Sequence, residues 1–185
     1  MKTCSTPGCE NPAAYRTRSK PAYCLACIDR ILDESGLVPL EPFTGPRDWM
    51  LTRCTRCGVE AHYRFEYILH KHEIGEPVCR ACYWRQWYRD SWLEFGVGQG
   101  VTDKIPEDVL LDVIDTCGYE LLDVIPGDRV GEELYRVRCR SCGRISVERL
   151  GDIAWGCPCS KTTRQQRKAC WRKLDEYVRP EWERE

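Results

Sequence analysis

The spacing of its cysteines limits what this chain can fold into more than any other feature. Fourteen of the 185 residues are cysteine, and twelve form three groups of four: Cys4, Cys9, Cys24 and Cys27; Cys54, Cys57, Cys79 and Cys82; Cys139, Cys142, Cys157 and Cys159. In each group two close pairs lie 14 to 21 residues apart, a gap that lets one knuckle fold back over a hairpin and meet a second. Four thiolates at Zn–S distances of about 2.3 Å satisfy a zinc ion and leave no open position for a substrate or an activated water. Three structural Zn2+ ions are therefore the expected cofactors. The second group, C-x2-C-x21-C-x2-C, is the most specific of the three.

Units of this size bury too little apolar surface to be stable alone, so each structural zinc must supply about 10 kcal/mol or more of folding free energy. Two alternatives use the same residues. A disulfide framework needs an oxidising compartment, whereas C-x2-C knuckles are metal geometry, and no charged segment followed by an apolar run opens Met1 to Pro21. Iron in a rubredoxin-like site fits Cys54-Thr-Arg-Cys57-Gly58 and Cys139-Arg-Ser-Cys142-Gly143. The expected setting is a reducing cytoplasm, with no membrane partner, because no apolar run approaches the roughly 20 residues that span a bilayer.

Punctuation divides the chain into residues 1–36, a first zinc finger; 37–47, a connector carrying Pro39, Pro42 and Pro46; 48–96, a second zinc unit with an aromatic helix; 97–104, a Gly-rich linker; 105–178, a third zinc unit; and 179–185, a tail. A strand pair is expected around Ala13 to Tyr23, and a helix from Cys24 to a Gly36 cap. A strand is expected at Trp49 to Cys54, and a hairpin over Val59 to Leu69 with Tyr63, Phe65 and Tyr67 alternating. The next helix begins at Cys79-Arg-Ala-Cys82 and carries Trp84, Tyr88 and Trp92 every fourth residue. Ile105 to Cys117 is the cleanest amphipathic helix, with Val109, Leu110, Val113, Ile114 and Cys117 on its apolar face, so Cys117 is a core residue. Strands follow at Tyr119 to Ile125 and Leu134 to Cys139, and a basic helix closes the unit from about Lys161 to Tyr177.

An ordered similarity links two segments. Helix, Gly36-Leu37-x-x-Leu40, strand, Trp49 and Arg53-Cys54-x-x-Cys57-Gly58 correspond to helix, Gly118-Tyr119-x-x-Leu122, strand, Tyr135 and Arg138-Cys139-x-x-Cys142-Gly143. With Trp155-Gly156-Cys157-Pro158 and the basic helix beyond, these units resemble the tandem treble-clef and zinc-ribbon repeats of bacterial and phage proteins. Those repeats are often DNA-binding modules appended to endonuclease-like or mobile-element machinery. The resemblance implies an α+β class of small zinc-stabilised units in tandem with little conventional hydrophobic core. The third unit departs from it by closing with C-x-C instead of C-x2-C, which leaves Cys170 as an alternative to Cys157 or Cys159.

Charge points to a partner. Twelve thiolates around three divalent ions take the formal net charge from −1 to about −7. Residues 134–173 nonetheless hold eleven Lys and Arg against only Glu148 and Asp152, and residues 94–133 hold eleven acids against Lys104 and Arg129. Arg136, Arg138, Arg140 and Arg144 flank the third knuckle; Lys161, Arg164, Arg167, Lys168, Arg172 and Lys173 lie on the helix beyond it. Such a footprint can follow a phosphate backbone, so nucleic acid, DNA in preference to RNA, is the expected partner. Thr162, Thr163, Gln165 and Gln166 stand where bases could be read or where a helix is simply capped. The competing expectation is a protein-binding adaptor in a larger nucleic-acid-processing complex, using the acidic stretch.

Catalysis is not expected. An HNH-type nuclease needs a histidine base, further metal ligands and an orienting asparagine. The only histidines are His62, His70 and His72, all in the second unit, and the only asparagine is Asn11. His70-Lys71-His72 is expected to form a polar turn. No nucleophile elbow or phosphate-cradling glycine loop is present either, so no small-molecule substrate is expected.

Overall fold

The computed structural model describes residues 2–95 and 105–159 together with 168, 169, 171, 172 and 174. They form an α+β structure with two small antiparallel sheets. The chain divides into two compact units, Met1–Cys79 and Arg80–Glu185.

In the first unit the polypeptide turns through Cys4 to Cys9 and enters α1 (Leu25–Glu34) directly behind Cys24, its N-cap. The helix buries Cys27, Ile28, Ile31 and Leu32, one apolar stripe. Gly36, at φ +70°, ends it with its N–H on the Asp33 carbonyl at 2.8 Å, a conformation that glycine adopts without steric cost. The chain then forms β1 (Leu37–Pro39), β2 (Trp49–Cys54) and β3 (Glu60–Arg64), in the order β1-β2-β3.

Two local expectations fail here. Residues 13–23 hold no strand pair: Ala14 N–H reaches the Tyr23 carbonyl at 2.8 Å, while Thr3 and Pro12 form an isolated bridge. Pro12 and Pro21 have no N–H to donate to a ladder, and Thr17 closes a turn on Lys20 through its hydroxyl. The Val59–Leu69 hairpin is also replaced. Strand β3 ends at Arg64, and Phe65 opens α2 (Phe65–Glu73). Phe65 and Ile68, three apart, are both buried, which is helical spacing. Tyr63 and Tyr67 stack at 5.7 Å across the junction. His70, Lys71 and His72 accordingly lie in the last turn of α2 rather than in a polar turn, where positive charge complements the helix dipole. Phe65 is the hub of an aromatic cluster with Tyr15, Tyr23 and Phe43, at centroid distances of 5.7 to 6.4 Å.

The second unit opens with α3 (Arg80–Phe95), followed after residue 104 by α4 (Glu107–Thr116). Strands β4 (Tyr119–Ile125), β5 (Leu134–Cys139) and β6 (Ile145–Glu148) form its sheet, and a short α5 (Leu150–Ile153) follows. The bounds of β4 and β5 match those expected; β6 and α5 were not anticipated. Pro106 is the N-cap of α4, whose helical residues begin at Glu107 rather than at Ile105. The unit has a contiguous core, contrary to the expectation of little conventional core: Val113, Ile114 and Cys117 from α4, Tyr119, Tyr135, Val137 and Cys139 from the sheet, then Leu150, Ile153, Ala154, Cys157 and Leu174. Lys168, Ala169, Trp171, Arg172 and Leu174 are helical, as expected of the closing helix; Lys161, Arg164, Arg167, Cys170 and Lys173 lie outside the described residues.

The two sheets are built from one repeated block. In both, a helix ends at a glycine with positive φ, Gly36 or Gly118, and the next residue pairs with the first cysteine of the coming knuckle, Leu37 with Cys54 and Tyr119 with Cys139. The glycine carbonyl accepts the N–H that follows this cysteine, from Thr55 at 2.9 Å and from Arg140 at 3.0 Å. Eight residues after the second knuckle cysteine comes the first residue of a helix, Phe65 or Leu150. The same register corrects the Trp49–Tyr135 equivalence. Met50 pairs with Tyr63 and Tyr135 with Glu148, so Tyr135 corresponds to Met50. One residue of slip exchanges the faces of a strand, and Tyr135 is 7% exposed where Trp49 is 36% exposed.

Candidate metal centres

All three cysteine groups converge. In each, the four sulfurs lie within 4.8 Å of one another, so each group can hold a metal ion. The S···S separations are 3.7 Å for Cys9–Cys24, 3.8 Å for Cys9–Cys27, 3.5 Å for Cys57–Cys79, 3.4 Å for Cys139–Cys159 and 3.8 Å for Cys142–Cys157. A tetrahedron with metal–sulfur bonds of about 2.3 Å has edges of about 3.8 Å. A disulfide requires about 2.05 Å, and all described cysteines are free. Both Cys157 and Cys159 join the third group.

The folding that brings the sulfurs together is local. Each knuckle turns at a glycine with positive φ: Gly58 and Gly143 donate back to the Cys54 and Cys139 carbonyls at 2.9 and 2.8 Å. The second pair of each of the first two groups lies at a helix start, Cys24 as the N-cap of α1 and Cys79 just before α3. Free N–H groups there stabilise thiolates.

The thiols respond in opposite directions. Burial pushes Cys4 up, but backbone N–H groups of Thr6 and Cys24 outweigh it and hold the thiol at about 6, against an ordinary 9.0. Burial likewise raises Cys139, and the N–H groups of Cys142 and Ser141 bring it down to about 7. Cys24 is lowered chiefly by the N–H of Cys27. Cys57, by contrast, is pushed up to about 11 by burial and by the Cys79 and Cys54 sulfurs beside it. Crowded thiolates repel, and a divalent cation at their centre removes that repulsion. The donor sets therefore fit a thiophilic metal.

The histidines stand apart from these groups. His62 on β3 faces Glu41 at 3.8 Å, and His72 faces Glu34 at 3.3 Å. Among the described residues no further group of metal-ligating side chains is found.

The basic residues proposed around the third knuckle are engaged inside the fold. Arg136 donates to Asp123 at 2.7 Å, Arg138 to Glu120 at 3.2 Å and Arg140 to Asp115 at 2.5 Å; Arg144 lies 3.6 Å from Glu148. The acidic and basic stretches, segregated along the chain, are neighbours across the β4–β5 ladder. On the closing helix, Lys168 and Arg172 are exposed one turn apart, while Leu174 is buried and Trp171 packs against the core.

One arrangement had no sequence signal. Arg80, between Cys79 and Cys82, donates to the Val147 carbonyl at 2.9 Å and to Glu148 at 2.8 Å, and lies 3.7 Å from Asp152. Asp152 accepts from Arg149, whose guanidinium stacks 3.7 Å over Trp84. Helix α3 is thereby clamped to β6 and α5 by contacts 67 and 68 residues apart in sequence.

Comparison with protein-family models, with curated proteins and with solved structures found no significant match. Fold and sites together define a small α+β protein with three four-cysteine groups, each able to hold a metal ion. Among the described residues no helix is long and apolar enough to cross a membrane.

Proposed function

We propose that three zinc ions fold this chain, as tandem treble-clef-like units in a reducing cytoplasm, into a non-catalytic nucleic-acid-binding protein that prefers DNA to RNA. Zinc is supported by the all-sulfur donor sets and by S···S separations near a tetrahedral edge. A structural role follows from the donor count, since four protein sulfurs leave no position for a reacting group.

The observation that carries nucleic-acid binding is the closing helix. Its inner face is anchored by Leu174 and Trp171, and its outer face presents Lys168 and Arg172 to solvent. Lys161, Arg164, Arg167 and Lys173 extend the same basic sequence. The knuckle arginines, already paired with carboxylates, serve the fold before they serve a ligand. Binding of the zinc-loaded protein to duplex DNA and to RNA should weaken with salt, and Lys168→Glu with Arg172→Glu should reduce the log–log slope by about 2. No binding at about 50 mM salt, or a slope near zero, would overturn the reading.

A protein-adaptor reading has its own support in Val124, Val130 and Trp155, which are 44%, 65% and 57% exposed in the second unit. It calls for partner binding that is insensitive to salt and to the Lys168 and Arg172 substitutions.

A further inference from the structure

The strongest unassigned feature is a cleft of about 680 Å³ in the first unit, between the 15–21 loop and the 45–48 turn, with α2 along its side. Its volume falls in the range of about 300 to 1,000 Å³ typical of ligand sites. Four cations line it: Arg16, Arg18 and Lys20 alternate along the loop, and Arg47 comes from the turn. Lys20 and Arg47 share one carboxylate, Glu66, at 3.5 and 3.4 Å. Among the described residues Arg16 and Arg18 have no carboxylate partner, and both are exposed. Asp48 and Glu73 also line the cleft, but Asp48 is occupied by the Thr44 hydroxyl at 3.0 Å.

The loop is held in place before any ligand arrives. The Thr17 hydroxyl donates to the Lys20 carbonyl at 3.1 Å and accepts the Lys20 N–H at 3.0 Å. Lys2 donates to the same carbonyl at 3.1 Å, and Tyr15 packs against Phe43 and Phe65 beneath the loop. Two guanidinium groups and one ammonium at every second position of a fixed loop, the two guanidinium groups without a carboxylate among the described residues, suit an anion with several oxygens, because guanidinium forks bind phosphate oxygens in pairs. Preorganisation lowers the entropic cost of binding.

We propose that this cleft binds phosphate-bearing anions, esters or polyphosphates, that carry two or more negative charges, with Arg16 and Arg18 as the primary contacts and Glu66 as an internal competitor for Lys20 and Arg47. The site shares no residue with the closing helix and does not depend on what that helix binds. A nucleic-acid backbone and a free polyphosphate present the same chemistry.

The test titrates the zinc-loaded protein with inorganic tripolyphosphate and, separately, with a short single-stranded DNA, following backbone amide NMR signals. Saturable shifts at residues 16–20 and Arg47 are expected. The double variant Arg16→Glu, Arg18→Glu should bind at least about tenfold more weakly, since each charge-assisted contact contributes about 1.5 kcal/mol or more. Glu66→Gln should bind more tightly, an effect that loss of folding cannot imitate. Shifts with both probes assign the cleft to nucleic-acid backbone; shifts with tripolyphosphate alone assign it to a free polyphosphate. Lys168→Glu with Arg172→Glu should leave the shifts at residues 16–20 and Arg47 intact with whichever probe produces them, whatever that variant does to DNA binding elsewhere. No saturable shift with either probe, or unchanged affinity in the double variant, would overturn the proposal.

Discussion

Arg80 and Glu148 show how single side chains tie the second unit together. The Glu148 side chain is only 10% exposed, and a buried carboxylate left without its cation is costly. Arg80→Ala should destabilise the unit by about 2–3 kcal/mol, measured as a lowered urea midpoint with three metal ions still bound. Burial raises the Glu148 pKa above its ordinary 4.5, and Arg80 and Arg144 offset only part of that rise. The folded state thus holds this proton more tightly than the unfolded chain. The contribution of Glu148 to stability is full below 4.5 and is lost as pH rises through the raised value. Glu148→Gln should remove that loss, so the stability of wild type relative to the variant should fall in urea titrations as pH rises above 4.5. At Cys4 and Cys139 the sign is opposite. The lowered Cys4 and Cys139 thiols favour the folded state above their ordinary 9.0, and that advantage fades as pH drops towards about 6 and about 7. Acidification should therefore release metal progressively, as a chromogenic chelator would record; metal content unchanged down to about pH 4 would contradict thiolate ligation.

Among the elements, the closing helix depends on Leu174, which is fully buried in the core with Val113, Ile114 and Ile153. Leu174→Ala should cost about 2–4 kcal/mol and lower the thermal midpoint, whereas a helix that is not docked would show no change. Strands β4 and β5 were legible because Tyr119 to Ile125 and Leu134 to Cys139 are flanked by Gly118 and by a knuckle. Helix α4 was legible because its apolar positions recur every three or four residues. Helix α2 was not: Tyr63, Phe65 and Tyr67 satisfy a period of two, and only the burial of Ile68 three residues after Phe65 separates helix from strand. The Arg80 clamp was invisible because no local period connects residues 68 positions apart.

For the whole molecule, the cysteine spacing carried the metal groups, since ligand sets obey local geometry, and the charge pattern carried less. Asp115, Glu120 and Asp123 looked like one acidic surface and Arg136, Arg138 and Arg140 like one basic surface, until an antiparallel ladder placed Glu120 opposite Arg138 and Asp123 opposite Arg136, while Asp115 met Arg140 from the end of α4. Replacing one ligand in a single centre, as in Cys54→Ser or, separately, Cys159→Ser, should reduce the bound metal from three ions towards two, measured by elemental analysis of protein purified without chelator. The repeated block adds a constraint on how the molecule can be divided. It runs from the end of one helix through a knuckle to the start of the next, so it is out of phase with the cysteine groups. A fragment cut at the apparent finger boundary, after residue 36, would separate Gly36 from Thr55 and so remove the carbonyl that holds the second knuckle. Recombination that preserves folding would exchange this chain in segments joined inside helices, not between metal sites.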